Sequence, residues 1–242
     1  MKKLLLFLVY CYCIVFSISA QNYIAEYQSG KTKGKLLFDA VSWRYDVTDL
    51  LEISVKSDDM GVDENSSPSA KSISTFNYRS LDKNEYLDEE LLYGGTSKSC
   101  VIRGELEKPE WNILSDSVKT IESYTCLMAK GFVRGRNYIV WFTPDIPVSA
   151  GPWKLWGLPG LIMDARSDDG LVSISLTSLK QTDLLPQRPT VKNTVTPAEF
   201  KAQLNEALKK FTRKIQGLAI DRNTEVNVTN ININHPDKSL FE

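Results

Sequence analysis

The chain has 242 residues, with 29 basic and 30 acidic side chains and a formal charge of −1 at neutral pH. This balance argues against a role that depends on a basic surface, such as nucleic-acid binding or attraction to anionic lipid. The length fits one domain, and no apolar stretch after residue 20 is long enough to cross a bilayer.

The first twenty residues have the pattern of a secretory signal peptide. Lys2 and Lys3 precede an apolar run at 4–16, and small residues follow up to Ala20. The run is too short for a transmembrane helix, which needs roughly 20 residues. We therefore expect cleavage after Ala20 and export to the periplasm or cell envelope.

Two cysteines remain in the predicted mature chain, because Cys11 and Cys13 leave with the leader. In an oxidising compartment we expect Cys100 and Cys126 to form a disulfide, which would stabilise the fold by roughly 3 kcal/mol. A reactive thiol or a metal ligand is the alternative. It is disfavoured because the one histidine, His235, lies seven residues from the end.

Alternating apolar and polar residues predict antiparallel strands through most of the chain. In chain order, these strands lie at 23–27, 36–38, 42–45, 51–55, 73–78, 87–93, 99–102, 111–114, 119–128 and 134–143. Residues 57–72 are rich in Ser and Asp without apolar periodicity, which indicates an exposed, mobile loop. A break is predicted at Gly94-Gly95.

The clearest hairpin lies near the end of the strand-rich region. An apolar strand at 161–163 leads to the turn Asp168-Asp169-Gly170, where the Asp-Gly pair tolerates positive φ. The following residues, 172–177, alternate between apolar and polar. We therefore expect this strand to have one buried face and one solvated face.

One helix is predicted at 196–218. Thr196 and Glu199 form a capping box around Pro197, a residue favoured at the first helical position. Its apolar stripe consists of Phe200, Leu204, Leu208, Phe211 and Ile215. A polar tail at 224–242 follows, with one possible edge strand at 226–233. Residues 21–242 are thus predicted to form a single, mostly β (α+β) domain: a curved or sandwiched antiparallel sheet packed by one C-terminal amphipathic helix.

The loop between the predicted strands at 134–143 and 161–163 is dense in Pro, Gly and Trp. Its defining residues are Gly151, Pro152, Gly157, Leu158, Pro159, Gly160, Leu161 and Ile162. The last six spell GLPGLI. Upstream segments in the same order are Tyr124-Thr125-Cys126, Ala129-Lys130, Arg134-Gly135-Arg136, Trp141-Phe142-Thr143 and Asp145-Ile146-Pro147.

On these residues the sequence resembles the GLPGLI family of exported proteins, found largely in Bacteroidota. The resemblance covers about 45 residues. It implies a cell-envelope protein of a family without an established biochemical activity, often associated with outer-membrane transport systems.

Two groups of side chains in this region are candidate binding residues, each with an alternative interpretation. Trp141, Trp153 and Trp156 either pack in the core or form the rim of a groove for an apolar ligand, a peptide or a partner. Arg134 and Arg136 are predicted to share a strand face. They either clamp a carboxylate or phosphate or form an ion-paired strand end. The conceivable acidic partners are Asp145, Asp164 and Glu122.

We find no catalytic, metal or cofactor signature. A serine hydrolase needs a nucleophile elbow and a histidine base, a zinc site needs clustered ligands, and a dinucleotide site needs its glycine fingerprint. The favoured hypothesis is a non-enzymatic binding or accessory protein for an apolar ligand or an outer-membrane transport partner. The alternatives are an envelope hydrolase with two convergent carboxylates, and a structural accessory with an exposed apolar patch or an unpaired sheet edge.

Overall fold

The computed structural model describes residues 21–51, 71–92 and 99–221. Several predictions lie outside these ranges: the signal peptide at 1–20, most of the strand at 51–55, most of the loop at 57–72, the Gly94-Gly95 break and the tail at 224–242.

Within the described residues the chain forms eleven strands and one helix, which confirms the predicted mostly β class. The strands are β1 (Asn22–Ser29), β2 (Thr32–Phe38), β3 (Ser42–Leu51), β4 (Lys71–Ser80), β5 (Glu85–Leu91), β6 (Ser99–Glu105), β7 (Trp111–Ile121), β8 (Tyr124–Val133), β9 (Arg136–Thr143), β10 (Leu161–Ser167) and β11 (Ser173–Thr182). The helix, α1, spans Pro197–Asp221.

All eleven strands form one open antiparallel sheet, in the order β6-β5-β4-β3-β2-β1-β11-β10-β9-β8-β7. β1 pairs with both β2 and β11, which joins the first six strands to the last five. Ten antiparallel pairings separate β6 from β7, so these two edge strands run in the same direction. The linker at 106–110 therefore continues the direction of the chain and does not form a hairpin.

The sheet is strongly curved. Arg134, at the end of β8, lies 5.6 Å from the ring of Tyr86 on β5, although seven strands stand between β5 and β8 in the sheet. In a flat sheet, eight strand spacings of about 4.8 Å would place these strands roughly 38 Å apart. The two halves of the sheet therefore face each other across a shared interior, as the prediction of a curved or sandwiched sheet requires.

The β10–β11 hairpin has the predicted structure. Gly170 in its turn has φ 72°, in the left-handed region that favours glycine. Val172, Ile174 and Leu176 are buried, while the residues between them are exposed or half-buried. The alternation read from the sequence therefore corresponds to one core face and one solvated face.

Two strand predictions are corrected by turns that the sequence did not reveal. The predicted strand at 119–128 contains a reversal, with Glu122 at φ 52° between β7 and β8. The predicted strand at 134–143 begins only at Arg136, because Arg134 and Gly135 have φ of 50° and 76° and form a two-residue hairpin turn. The prediction that Arg134 and Arg136 share a strand face is therefore wrong.

The predicted disulfide is also wrong. Cys100 and Cys126 are free thiols in the structure. Cys100 lies on the edge strand β6 and Cys126 on β8, and eight strands separate β6 from β8 in the sheet. The Cys100 thiol contacts the side-chain oxygen of Gln203 on α1 at 3.5 Å, whereas Cys126 Sγ lies 3.6 Å from the Tyr124 carbonyl oxygen.

The helix begins with the predicted capping box. The Thr196 amide donates to Glu199 Oε2 at 2.7 Å, and the Glu199 amide donates back to Thr196 Oγ1 at 3.2 Å. Phe200 and Leu204 are buried against side chains of β5 and β6. No helix within the described residues is both long enough and apolar enough to cross a membrane.

Candidate functional site

The GLPGLI loop, residues 144–160 between β9 and β10, lies inside the curved sheet. Leu158 is buried together with the β10 residues that complete the motif, Leu161 and Ile162. A Cβ atom on Gly160 would lie 2.2 Å from the backbone oxygen of Thr143. The motif therefore specifies close packing of this loop against the strands that flank it.

Other motif positions have the same character. A Cβ atom on Gly151 would lie 2.6 Å from the Leu155 carbonyl oxygen, and Gly157 has φ 95°. Pro152 is buried, and only Pro159 among the motif residues is exposed. These glycines are required for backbone packing and conformation, as expected of a loop with one defined path.

The three candidate tryptophans do not line a common rim. Trp156 is buried, its ring 5.8 Å from that of Trp43, and its carbonyl oxygen accepts a 2.8 Å hydrogen bond from Trp111 Nε1. Trp141 lies on the opposite face of the sheet, where Lys119 Nζ stands 4.5 Å from its ring. Trp153 is half-buried at φ 55°. A ligand-binding role for these residues stays a prediction.

The two candidate arginines also have separate surroundings. Arg136 is almost fully buried, and its Nε lies 3.3 Å from Asp169 Oδ2, a partner in the β10–β11 turn. The suggested partner Asp164 instead pairs with Lys119 at 3.2 Å. A shallow depression of about 300 Å³ opens beside Arg136, lined by Phe132, Gly135, Asn137, Asp168 and Asp169 as well. A clamp formed by both arginines would need a shared face that they lack.

The structure brings together a group of buried charges that the sequence analysis missed. We call it the inner charge cluster: Asn77 and Arg79 on β4, Asp88 and Glu90 on β5, and Lys154 in the GLPGLI loop. Every member is less than 10% exposed. The cluster lies where the loop crosses the inner face of β4 and β5.

Hydrogen bonds and ion pairs connect the members of this cluster. Arg79 donates to both Asp88 oxygens, at 2.5 and 3.1 Å, and Asn77 Nδ2 donates to Asp88 Oδ1 at 2.9 Å. Lys154 Nζ lies 2.6 Å from Glu90 Oε1 and 3.9 Å from Asp88 Oδ2. Two cations thus face two carboxylates, and the formal charges cancel.

This arrangement attaches the loop to the sheet, because buried charges are tolerated only when each has a partner. The sequence of β5, with acidic residues at four of its seven positions, is typical of a solvated strand and did not predict burial. One signal was available. Lys154 is the only cation among residues 144–163, and it lies between two tryptophans.

A second ionic contact lies near the β6 edge of the sheet, around Glu85 on β5. Arg188 Nε donates to Glu85 Oε1 at 2.7 Å, and Arg103 lies 3.2 Å from the other Glu85 oxygen. The Arg188 hydrogen bond holds the pKa of Glu85 below its ordinary value. Farther along, Val195 forms a bridge to the free side of β6, with backbone hydrogen bonds of 2.9 Å to Val101 and Arg103.

The other edge of the sheet differs. We call the side of β7 away from β8 the β7 edge. Within the described residues, β7 pairs only with β8. A bulge at 115–117 divides the strand into two paired stretches, 111–114 and 118–121. Ile113 and Val118, one on each stretch, are 40% and 55% exposed.

The described residues contain no group of three or more His, Cys, Asp or Glu side chains placed to hold a metal ion. Burial raises the pKa of both cysteine thiols, which keeps them protonated near neutral pH. The carboxylates of the inner charge cluster are covered by the loop and neutralised by Arg79 and Lys154. In this conformation they do not face an open cleft.

Comparison with known proteins gives a short family match and a fold match. Residues 133–164 match the model of a family described as a protein of unknown function (Porph_ging). No curated protein matches the chain. Two crystal forms of PNGF-II, in space groups C2 and P21, align with TM-scores of 0.54 and 0.53 at 18% identity, covering 78% of this chain.

The alignment covers 33% and 34% of the two PNGF-II chains, so this chain spans about a third of that protein's length. At this identity the likeness concerns the fold alone. The family match covers β9 and the GLPGLI loop and includes residues 157–162. Over this segment the chain is similar to a family of unknown function.

Proposed function

We propose that this chain is an exported GLPGLI-family protein that acts in the cell envelope as a non-enzymatic accessory, binding a protein partner. The partner we favour is a component of an outer-membrane transport system, as the family resemblance implies. The signal-peptide pattern at 1–20 supports the location. The match at 133–164 to a family of unknown function supports the family assignment.

One observation carries the choice of a protein partner over a small ligand: the GLPGLI loop fills the interior of the sheet. Leu155, Trp156 and Leu158 occupy the space that a ligand carrier would leave open. In contrast, the β7 edge has no main-chain partner among the described residues, and it presents exposed apolar side chains. These are features through which proteins bind other proteins.

Affinity purification from the native envelope tests this proposal. The tagged full-length chain, expressed in its native host, should retain a defined protein partner after mild cross-linking. Organic extraction of the purified complex should release no stoichiometric lipid or other small molecule. A monomer that carries a bound lipid and no protein would contradict the proposal and favour an apolar-ligand carrier.

The alternative function is an envelope hydrolase, and the inner charge cluster favours it. Asp88 and Glu90 both approach the ammonium of Lys154. They are therefore two neighbouring carboxylates of the kind that acid–base hydrolysis uses. This function requires the loop to open. The test is turnover of fluorogenic glycosides by the mature chain. If the chain hydrolyses them, and if E90Q loses this activity while the protein stays folded, the hydrolase function replaces the accessory role.

A further inference from the structure

We propose that the β7 edge binds an extended, positively charged segment of the partner, which adds a strand beside residues 118–121 or 111–114. This inference rests on the proposed accessory function and specifies the surface and the chemistry of the partner. Three properties of the edge support it: a backbone without a partner among the described residues, exposed apolar side chains, and charge.

The first property is the backbone. A strand at the end of a sheet presents main-chain donors and acceptors that an added strand can satisfy. The opposite edge has already received such a segment, since Val195 pairs with β6 through two 2.9 Å hydrogen bonds. The β7 edge has no equivalent within the described parts of the chain.

The second property is the apolar surface. Trp111 points into the core, where its Nε1 reaches the Trp156 carbonyl oxygen, and Ile113 follows on the same face of the strand. Val118 pairs opposite Leu127, which in turn pairs opposite the buried Phe142. Ile113 and Val118 therefore extend the core face of the sheet beyond the region that the described residues cover.

The third property is the charge. Glu110, Asp116 and Glu122 are exposed, and they place an acid near each end of both paired stretches. The one cation of β7, Lys119, is paired with Asp164 at 3.2 Å and stands over the Trp141 ring. The one lysine of the neighbouring strand β8, Lys130, lies opposite Asn112, so β7 and its two flanking residues carry three exposed acids and one cation that is already paired. A complementary strand therefore carries Lys or Arg between its apolar residues.

The same charges disfavour a second copy of this chain as the occupant. Antiparallel pairing of two complete β7 edges would place Glu110 opposite Glu122 and Asp116 opposite its own copy. Like charges directly opposite each other destabilise a strand pair. The bulge at 115–117 further interrupts a continuous self-pairing surface.

Two synthetic octapeptides test the surface directly: one alternates Val and Lys, and the other alternates Val and Glu. Fluorescence anisotropy at low and high salt measures binding of each peptide to the mature chain. Hydrogen exchange measures whether the bound peptide protects the backbone amides of residues 111–121. The Lys peptide should bind, slow exchange in this strand and dissociate as salt rises. The Glu peptide should not bind.

The double variant I113K/V118K should bind the Lys peptide about tenfold more weakly, because it loses apolar contact and adds positive charge. The matched control is I139K, which alters a residue of similar exposure, 41%, on the outer face of β9. Equal binding of both peptides, protection confined to other strands, or unchanged binding by I113K/V118K would overturn the inference. So would a stable dimer of the free chain that buries β7.

Repeating the envelope purification with I113K/V118K separates the two proposals. Loss of the partner from this variant, but not from I139K, supports both. Retention of the partner by I113K/V118K overturns the β7 surface and leaves the accessory function standing. Absence of any protein partner, even from the wild-type chain, overturns the accessory function itself.

Discussion

Replacing Lys154 by Met removes the ammonium that links the GLPGLI loop to β5. The substitution keeps the length and the apolar stem of the side chain, so the loss is chiefly electrostatic. Glu90 then lacks the cation at 2.6 Å, whereas Asp88 keeps Arg79 and Asn77. Removing one partner of a buried ion pair typically costs 3–5 kcal/mol. We expect about 3 kcal/mol here, because only one carboxylate loses its closest partner.

Urea unfolding of residues 21–242 at neutral pH, followed by tryptophan fluorescence, measures this loss. For a domain of this size it corresponds to a decrease in melting temperature of roughly 6–12 °C. The double variant K154M/E90M removes both charges and should lie within about 1 kcal/mol of wild type. Lys119→Met breaks the more exposed pair with Asp164, so it should cost less than about 1 kcal/mol.

The comparison among these variants decides whether the cluster attaches the loop. If K154M costs no more than K119M, the buried charges do not hold the loop in place. If K154M/E90M is as unstable as K154M, the cost comes from lost packing and not from a buried carboxylate that has lost its nearest cation. Either result would refute the reasoning.

Three further predictions concern the fold. Gly160→Ala should lower the free energy of unfolding by about 3 kcal/mol or more, because the new Cβ would lie 2.2 Å from a backbone oxygen. The control is Gly170→Asn, whose side chain enters open space and should have little effect on the same urea unfolding curves. Without reductant, residues 21–242 should react with two equivalents of a thiol reagent when unfolded. In the folded protein Cys126 should react slowly, because it is buried and its thiol pKa is raised; recovery of a disulfide at Cys100 would contradict this prediction. The Arg188 hydrogen bond lowers the pKa of Glu85 in the fold, so this ion pair should stabilise the protein at neutral pH and lose its effect as the pH falls through that lowered pKa. The difference in stability between wild type and E85Q, measured by urea unfolding, should therefore shrink steadily on acidification.

Local patterns made part of this structure predictable from sequence. The turn at Gly170 and the capping box at Thr196 each depend on residues within a few positions of one another. Their geometry follows from backbone preferences that do not need the rest of the fold. Alternating burial in β11 was predictable for the same reason, since a strand with one apolar face has one way to place it against a core.

The errors came from features that depend on strand order. The Cys100–Cys126 bridge was inferred from compartment and cysteine number, neither of which reports that eight strands separate the two residues. The turn at Arg134-Gly135 was missed because Arg is uncommon at positive φ. The inner charge cluster forms only where β4, β5 and the GLPGLI loop lie together, and Lys154 in that loop is 64 residues beyond Glu90 in sequence. No local sequence pattern predicts such a contact.

The position of the GLPGLI loop changes how its sequence signature should be interpreted. Gly151 and Gly160 have no room for a side chain, Leu158 is buried, and Lys154 completes an ion network that is otherwise built from the sheet. Each of these requirements is met by packing, without reference to a ligand. Packing within the loop and against the sheet therefore accounts for these motif residues. The β7 edge lies outside this motif, so the partner binding proposed above is best tested there.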